Sequence, residues 1–161
     1  MKLRNIVDKI LERAVVILMG ALVLDVLWQV ASRYIFQDPS SFTDELAGFL
    51  LIWVGLLGAA WAAGMKQHLA IDLLSQKLSP ERRKYLDVLV NILVMLFALA
   101  VMVVGGIWLV YTRFYLGQIS AAMQIPLGYV YLVVPLSGFL IIFYSIDEIA
   151  RLTKNPNAEK I

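Results

Sequence analysis

Asp25 is the one carboxylate placed near the middle of a long apolar run, and Gln29, Ser32 and Arg33 follow it on the same helical face. An acid in a bilayer interior costs ~2.5–3.5 kcal/mol or more, so it must face protein or water. Two chemistries suit it. One is a proton or ion site. The other is a bundle-facing acid, held neutral and bonded to Gln29 one turn on. No second acid stands in mid-span to complete a proton relay. Asp44 and Glu45 form an adjacent pair ahead of the next apolar run, His68 is the single histidine, and cysteine is absent. Without cysteine there is neither disulfide exchange nor a thiolate metal site. One histidine cannot supply paired haem ligands. No nucleophile–base pair, metal-ligand cluster or phosphate-cradling loop is present, and nothing points to nucleic acid. The residues therefore predict a protein that is not an enzyme and holds no cofactor or metal.

The elements that must position these groups are membrane helices. The chain has 161 residues, 61% of them hydrophobic, and a mean hydropathy of +0.79. A soluble core of that size could not hide so much apolar surface. Backbone groups in lipid must pair internally, and long apolar runs select helices over a barrel. The expected fold is an all-α integral membrane protein with four spans, at about 14–34, 46–65, 86–111 and 126–149, each near or above the ~20 residues that cross a bilayer core. Two amphipathic segments, about 5–13 and about 69–78, read as short interfacial helices. Ser41 and Thr43 both offer caps for the second span. Ser79-Pro80-Glu81 reads as the start of the third helix. That helix is longer than the hydrocarbon is thick; in it Asn91 could bond across helices, and Gly105 and Gly106 permit close contact. Pro135, Ser137 and Gly138 predict a kink in the fourth span, and residues 155–161 a frayed tail.

The second span carries the most information. At about 100° per residue, Glu45, Gly48, Ile52, Gly55, Ala59 and Ala62 share one third of its circumference. Lipid tails do not require small residues, whereas a closely approaching helix backbone does. The strip is a packing face headed by a carboxylate. It serves either this chain's own bundle or a second protein. Basic residues gather at the N-terminus, between spans two and three, and at the C-terminus, whereas the other two loops offer only Arg33 and Arg113. Both termini are therefore expected in the cytoplasm, across a bacterial inner membrane.

The residues also carry a resemblance. Arg33-Tyr34-Ile35-Phe36, Asp44-Glu45-Leu46-Ala47, Trp53, Leu57-Gly58-Ala59-Ala60, His68, Asp72 and Leu78-Ser79-Pro80 are followed by Ile125-Pro126-Leu127-Gly128, Tyr131 and Pro135. In that order and spacing they resemble the small, DctQ-like membrane subunit of tripartite ATP-independent periplasmic (TRAP) transporters, over nearly the whole chain. The resemblance implies a scaffold that partners a large elevator-type membrane subunit and a periplasmic binding protein. The assembly would import an organic acid, a dicarboxylate or a sialic acid, with a sodium gradient. Asp25 is not part of that pattern. Two other readings stand beside it: a small homodimeric proton-coupled exporter using Asp25, and a membrane assembly factor that transports nothing.

Overall fold

A computed structural model describes residues 2–38, 40–65 and 80–154. Four helical stretches are long and apolar enough to cross a membrane: Arg4–Tyr34, Ser41–Gly64, Lys84–Tyr115 and Leu127–Thr153. The chain is all-α, and its described residues pair as strand only in one isolated bridge, Ile119 with Pro126.

The first helix, α1 (Lys2–Tyr34), is continuous. The segment 5–13, expected as an interfacial helix leading into the first span, forms its first turns. Ile6 and Ile10 are exposed, but Leu11 is 4% exposed and packs in the core with Leu57, Ala60 and Tyr144. An amphipathic period of 3.6 residues fits a neighbouring helix as well as a membrane surface, and here the neighbour takes one side of it. The other surface segment, 69–78, lies outside the described residues, as do His68, Asp72, Ser79 and the tail at 155–161.

Helix α2 (Ser41–Gly64) is capped one residue before the first of the expected caps. Ser40 is its N-cap, accepting from the Thr43 backbone N–H at 3.5 Å, while the Thr43 hydroxyl donates back to the Ser40 carbonyl at 3.0 Å. The third span joins α3 (Pro80–Phe97), a π-helical segment (Ala98–Gly105) and α4 (Gly106–Tyr115) without a break. Asn91 does not reach another helix: its side-chain amide donates to the Asp87 carbonyl in its own helix, at 2.9 Å.

The fourth span is broken, as Pro135 requires. It consists of α5 (Leu127–Tyr131) and α6 (Val133–Lys154), interrupted at Leu132. Proline has no N–H to return to the carbonyl four residues earlier. The break seats the third span closely. A Cβ added at Gly106 would lie 3.0 Å from the Pro135 ring and nitrogen, and one at Gly138 would lie 2.8 Å from Met102. Gly105 makes no such contact. Helix α6 is therefore the central element. It packs against α2 on one side and against α3 and the π-helical segment on the other, while α1 packs chiefly along α2.

Candidate partner-binding face

The strip on α2 faces outward. Gly48, Gly55 and Ala59 are exposed, as is Leu51 beside them. A Cβ added at Gly48, Gly55 or Gly58 would meet nothing within 4 Å, so no described part of this chain exploits those glycines. The opposite face carries Thr43, Leu57, Ala60 and Gly64, all buried. Of the expected strip, Ile52 and Ala62 turn partly inward, and Ile52 packs on the core. The outward strip is therefore Gly48, Leu51, Gly55 and Ala59, over about 17 Å of helix at 1.5 Å per residue.

Both ends of α2 are tied down. At the first turn the Glu45 carboxylate accepts three backbone N–H groups, from Ala121, Ala122 and Met123, each at 2.9 Å. Successive N–H groups of a turn pointing at one anion form a nest. The receiving loop is itself built rigidly. Ser120 N–H donates to the Ile125 carbonyl at 2.8 Å, Leu127 N–H to the Gln118 carbonyl at 2.9 Å, and the Gln124 amide to the Ala121 carbonyl at 2.8 Å. Two positive-φ residues, Gly117 and Gln124, turn it. Glu45, expected at the head of a partner interface, is thus spent inside its own chain, because the loop between spans three and four folds over the start of α2.

At the other end, Arg4 of α1 donates to the carbonyl of Gly64 at 2.5 Å and to the Asp147 carboxylate of α6. Asp8 and Glu148 stand 3.8 and 4.0 Å from the same guanidinium. The Tyr144 ring lies under it, 5.8 Å from Arg4 Cζ to the ring centroid, and the Tyr144 hydroxyl donates to Asp8 at 2.7 Å. Gly64 must lack a side chain here, since a Cβ would sit 2.8 Å from the Tyr144 ring. This cluster was invisible in the sequence, because its members come from the two extremes of the chain. Between the two ends, the Trp53 indole donates to the Val130 carbonyl at 2.9 Å. That carbonyl belongs to α5, just before the break, so Trp53 joins α2 to the interrupted span.

The remaining sequence-marked residues divide clearly. Arg33 and Asp44 pair at 3.7 Å, each about half exposed, beside the outward strip. Pro126 caps α5, and a Cβ at Gly128 would collide with the Phe114 ring. Asp25 is 9% exposed, and its Oδ2 has no hydrogen-bond partner among the described residues. The expected bond to Gln29 is not made; the Gln29 backbone carbonyl instead receives the Ser32 hydroxyl at 2.9 Å. The described residues contain no group of three His, Cys, Asp or Glu able to hold a metal.

The family model described as the DctQ component of tripartite ATP-independent periplasmic transporters matches residues 22–155. The sialic acid TRAP transporter small permease protein SiaQ of Vibrio cholerae is 31% identical over 156 residues, 94% of this chain and 86% of that protein. The C4-dicarboxylate TRAP transporter small permease protein DctQ of the same organism is 30% identical over 101 residues, 63% of this chain and 43% of the relative. A 66-residue stretch, 41% of this chain, is 35% identical to 11% of the sialic acid TRAP transporter permease protein SiaT of Haemophilus influenzae. With four membrane-spanning helices and the family match over most of its length, the chain belongs to the DctQ-component family of TRAP transporters and is a transporter component, not an enzyme.

Proposed function

We propose that this protein is the fixed scaffold of a TRAP importer in a bacterial inner membrane. The observation that carries the reading is the α2 strip: small residues turned away from their own bundle on a helix held at both ends. A small-residue face needs a backbone to approach it. The partner is a large elevator-type membrane subunit, with the strip against one of its helices and the Arg33–Asp44 pair at the rim. A periplasmic binding protein delivers an organic acid, and a sodium gradient drives uptake. The names of the relatives support a sialic acid or a C4-dicarboxylate as cargo.

The test is uptake by proteoliposomes holding the three components at matched amounts. Gly55→Leu and Ala59→Leu should weaken co-purification with the large subunit by about tenfold or more, since overpacking a close contact costs roughly 1–3 kcal/mol. Val104→Leu, on an exposed face of the third span, should not. Asp25→Asn should leave substrate preference and sodium dependence unchanged. Substrate uptake by this chain alone, abolished by Asp25→Asn, would overturn the scaffold and favour a self-sufficient exporter.

Orientation is testable separately, since the chain has no native cysteine. The charge distribution supports both termini in the cytoplasm. Single cysteines at Ser40 and Gln118 should react with an impermeant reagent in intact cells with permeabilised outer membranes; protection of both would invert the topology.

A further inference from the structure

The outer face of α1 carries an open apolar groove lined by Val15, Val16, Met19, Gly20, Val23 and Leu24. Gly20 forms its notch, because a Cβ there would meet nothing within 4 Å. The groove runs about 14 Å along the helix, roughly half of a ~30 Å hydrocarbon core and so about the depth of one leaflet. One to two turns toward the N-terminus, on the same face, stand Lys9 and Arg13. Both are exposed, and neither has an ion-pair partner among the described residues. The intervening acid, Glu12, lies about 80° round the helix from the midpoint of the two cations, at about 100° per residue. Exposed charge ends at Arg13, and from Val16 to Leu24 the outward residues are apolar. On α1 the level of the lipid headgroups therefore falls at Arg13.

We propose that this face holds one anionic phospholipid, its phosphate between Lys9 and Arg13 and an acyl chain in the Gly20 notch. Two features select this occupant over a partner helix. The cations sit at headgroup depth directly below an apolar furrow of one leaflet's length, and among the described residues neither forms an ion pair. A phosphodiester supplies the missing charge, and each cation near a membrane surface adds favourable interaction with anionic lipid. The notch differs from the α2 strip in having one glycine with larger apolar residues around it, a shape suited to a flexible chain.

The experiment is native mass spectrometry of the full chain, titrated with phosphatidylglycerol or with phosphatidylcholine of the same acyl composition. The unaltered chain should retain phosphatidylglycerol preferentially. Lys9→Ala with Arg13→Ala should lower phosphatidylglycerol affinity by about tenfold and leave phosphatidylcholine unchanged. Gly20→Leu fills the notch without touching the bundle, and should weaken both lipids while helical content by circular dichroism stays the same. Equal retention of the two lipids by the unaltered chain would overturn the proposal, as would an undiminished preference in the double variant. A disulfide or bifunctional cross-link from Gly20→Cys to another membrane protein in native membranes would overturn it too, by placing a helix in the groove.

Discussion

Arg4→Met should lower the stability of the chain by about 3 kcal/mol, because removing one partner of a largely buried ion pair leaves the others uncompensated. The Arg4 side chain is 12% exposed, and Asp8, Asp147 and Glu148 all lie within 4.0 Å of it. The loss would strand these acids together and free the Gly64 carbonyl at the end of α2. Arg151, one turn on and 3.0 Å from Asp147, can offset only part of this, since it is 43% exposed and has no ion pair with Asp8. For a chain of this length the loss corresponds to a Tm lower by roughly 6–12 °C. Arg4→Lys should recover only part of it, since a point-charge ammonium lacks the planar fork that serves Asp147 and Gly64 together. Combining Arg4→Met with Asp147→Asn should be less harmful than the sum of the two single changes, the sign of direct coupling. Thermal unfolding in a fixed detergent measures all four chains. Strict additivity would mean that the cluster is not a unit.

Glu45→Ala should release the loop at 118–126 from α2 and produce the largest fall in assembled transporter of any single change in the second span. Three backbone N–H groups lose a charged acceptor at once, and charge-assisted hydrogen bonds are roughly twice as strong as neutral ones. Glu45→Gln keeps one acceptor oxygen but turns an amide N–H₂ either toward Ala121 N–H or toward the Ala122 and Met123 N–H groups, and loses the charge, so it should recover little. Glu45→Asp retains the charge on a shorter arm and should fall between. The readout is the reactivity of a single cysteine replacing Met123, together with the yield of complex. Both should change together, several-fold, in Ala and Gln variants. If the loop cysteine reacts at the parent rate in Glu45→Ala, the carboxylate does not hold the loop. If the loop loosens but the complex assembles fully, the clasp is unnecessary to the scaffold role.

These two expectations share a physical cause. Helices in lipid gain little from apolar burial against one another, because lipid tails are as apolar as side chains. Small-residue contacts and polar ties must hold the bundle. Gly106 against Pro135 and Gly138 against Met102 are contacts of the first kind. Arg4 and Glu45 are ties of the second kind, and Trp53 adds a neutral one at the broken span. The orphaned Asp25 Oδ2 is the exception among them. It is buried in the described structure, at 9% exposure, on the first span.

The sequence by itself determined the solvent, the number of spans, the helical class and the small-residue strip of α2. Each is a local property: a window of hydropathy or a period of 3.6 residues is complete within some 20 positions. The Pro135 break was legible for the same reason, since a missing N–H acts on its own helix. Local pattern could not say that the strip faces away from the bundle, because a small-residue face suits an internal neighbour and an external one equally. Nor could it separate the segment 5–13 from a surface helix. The roles of Glu45 and Arg4 were decided only by tertiary structure. Glu45 meets backbone groups 76 to 78 positions away, and Arg4 meets a carboxylate 143 positions away. The acceptors and donors there are partly main-chain atoms, which every residue carries, so no side-chain pattern marks them. Such pairs exist only once α6 has packed between α2 and the third span and brought Asp147 beside Arg4.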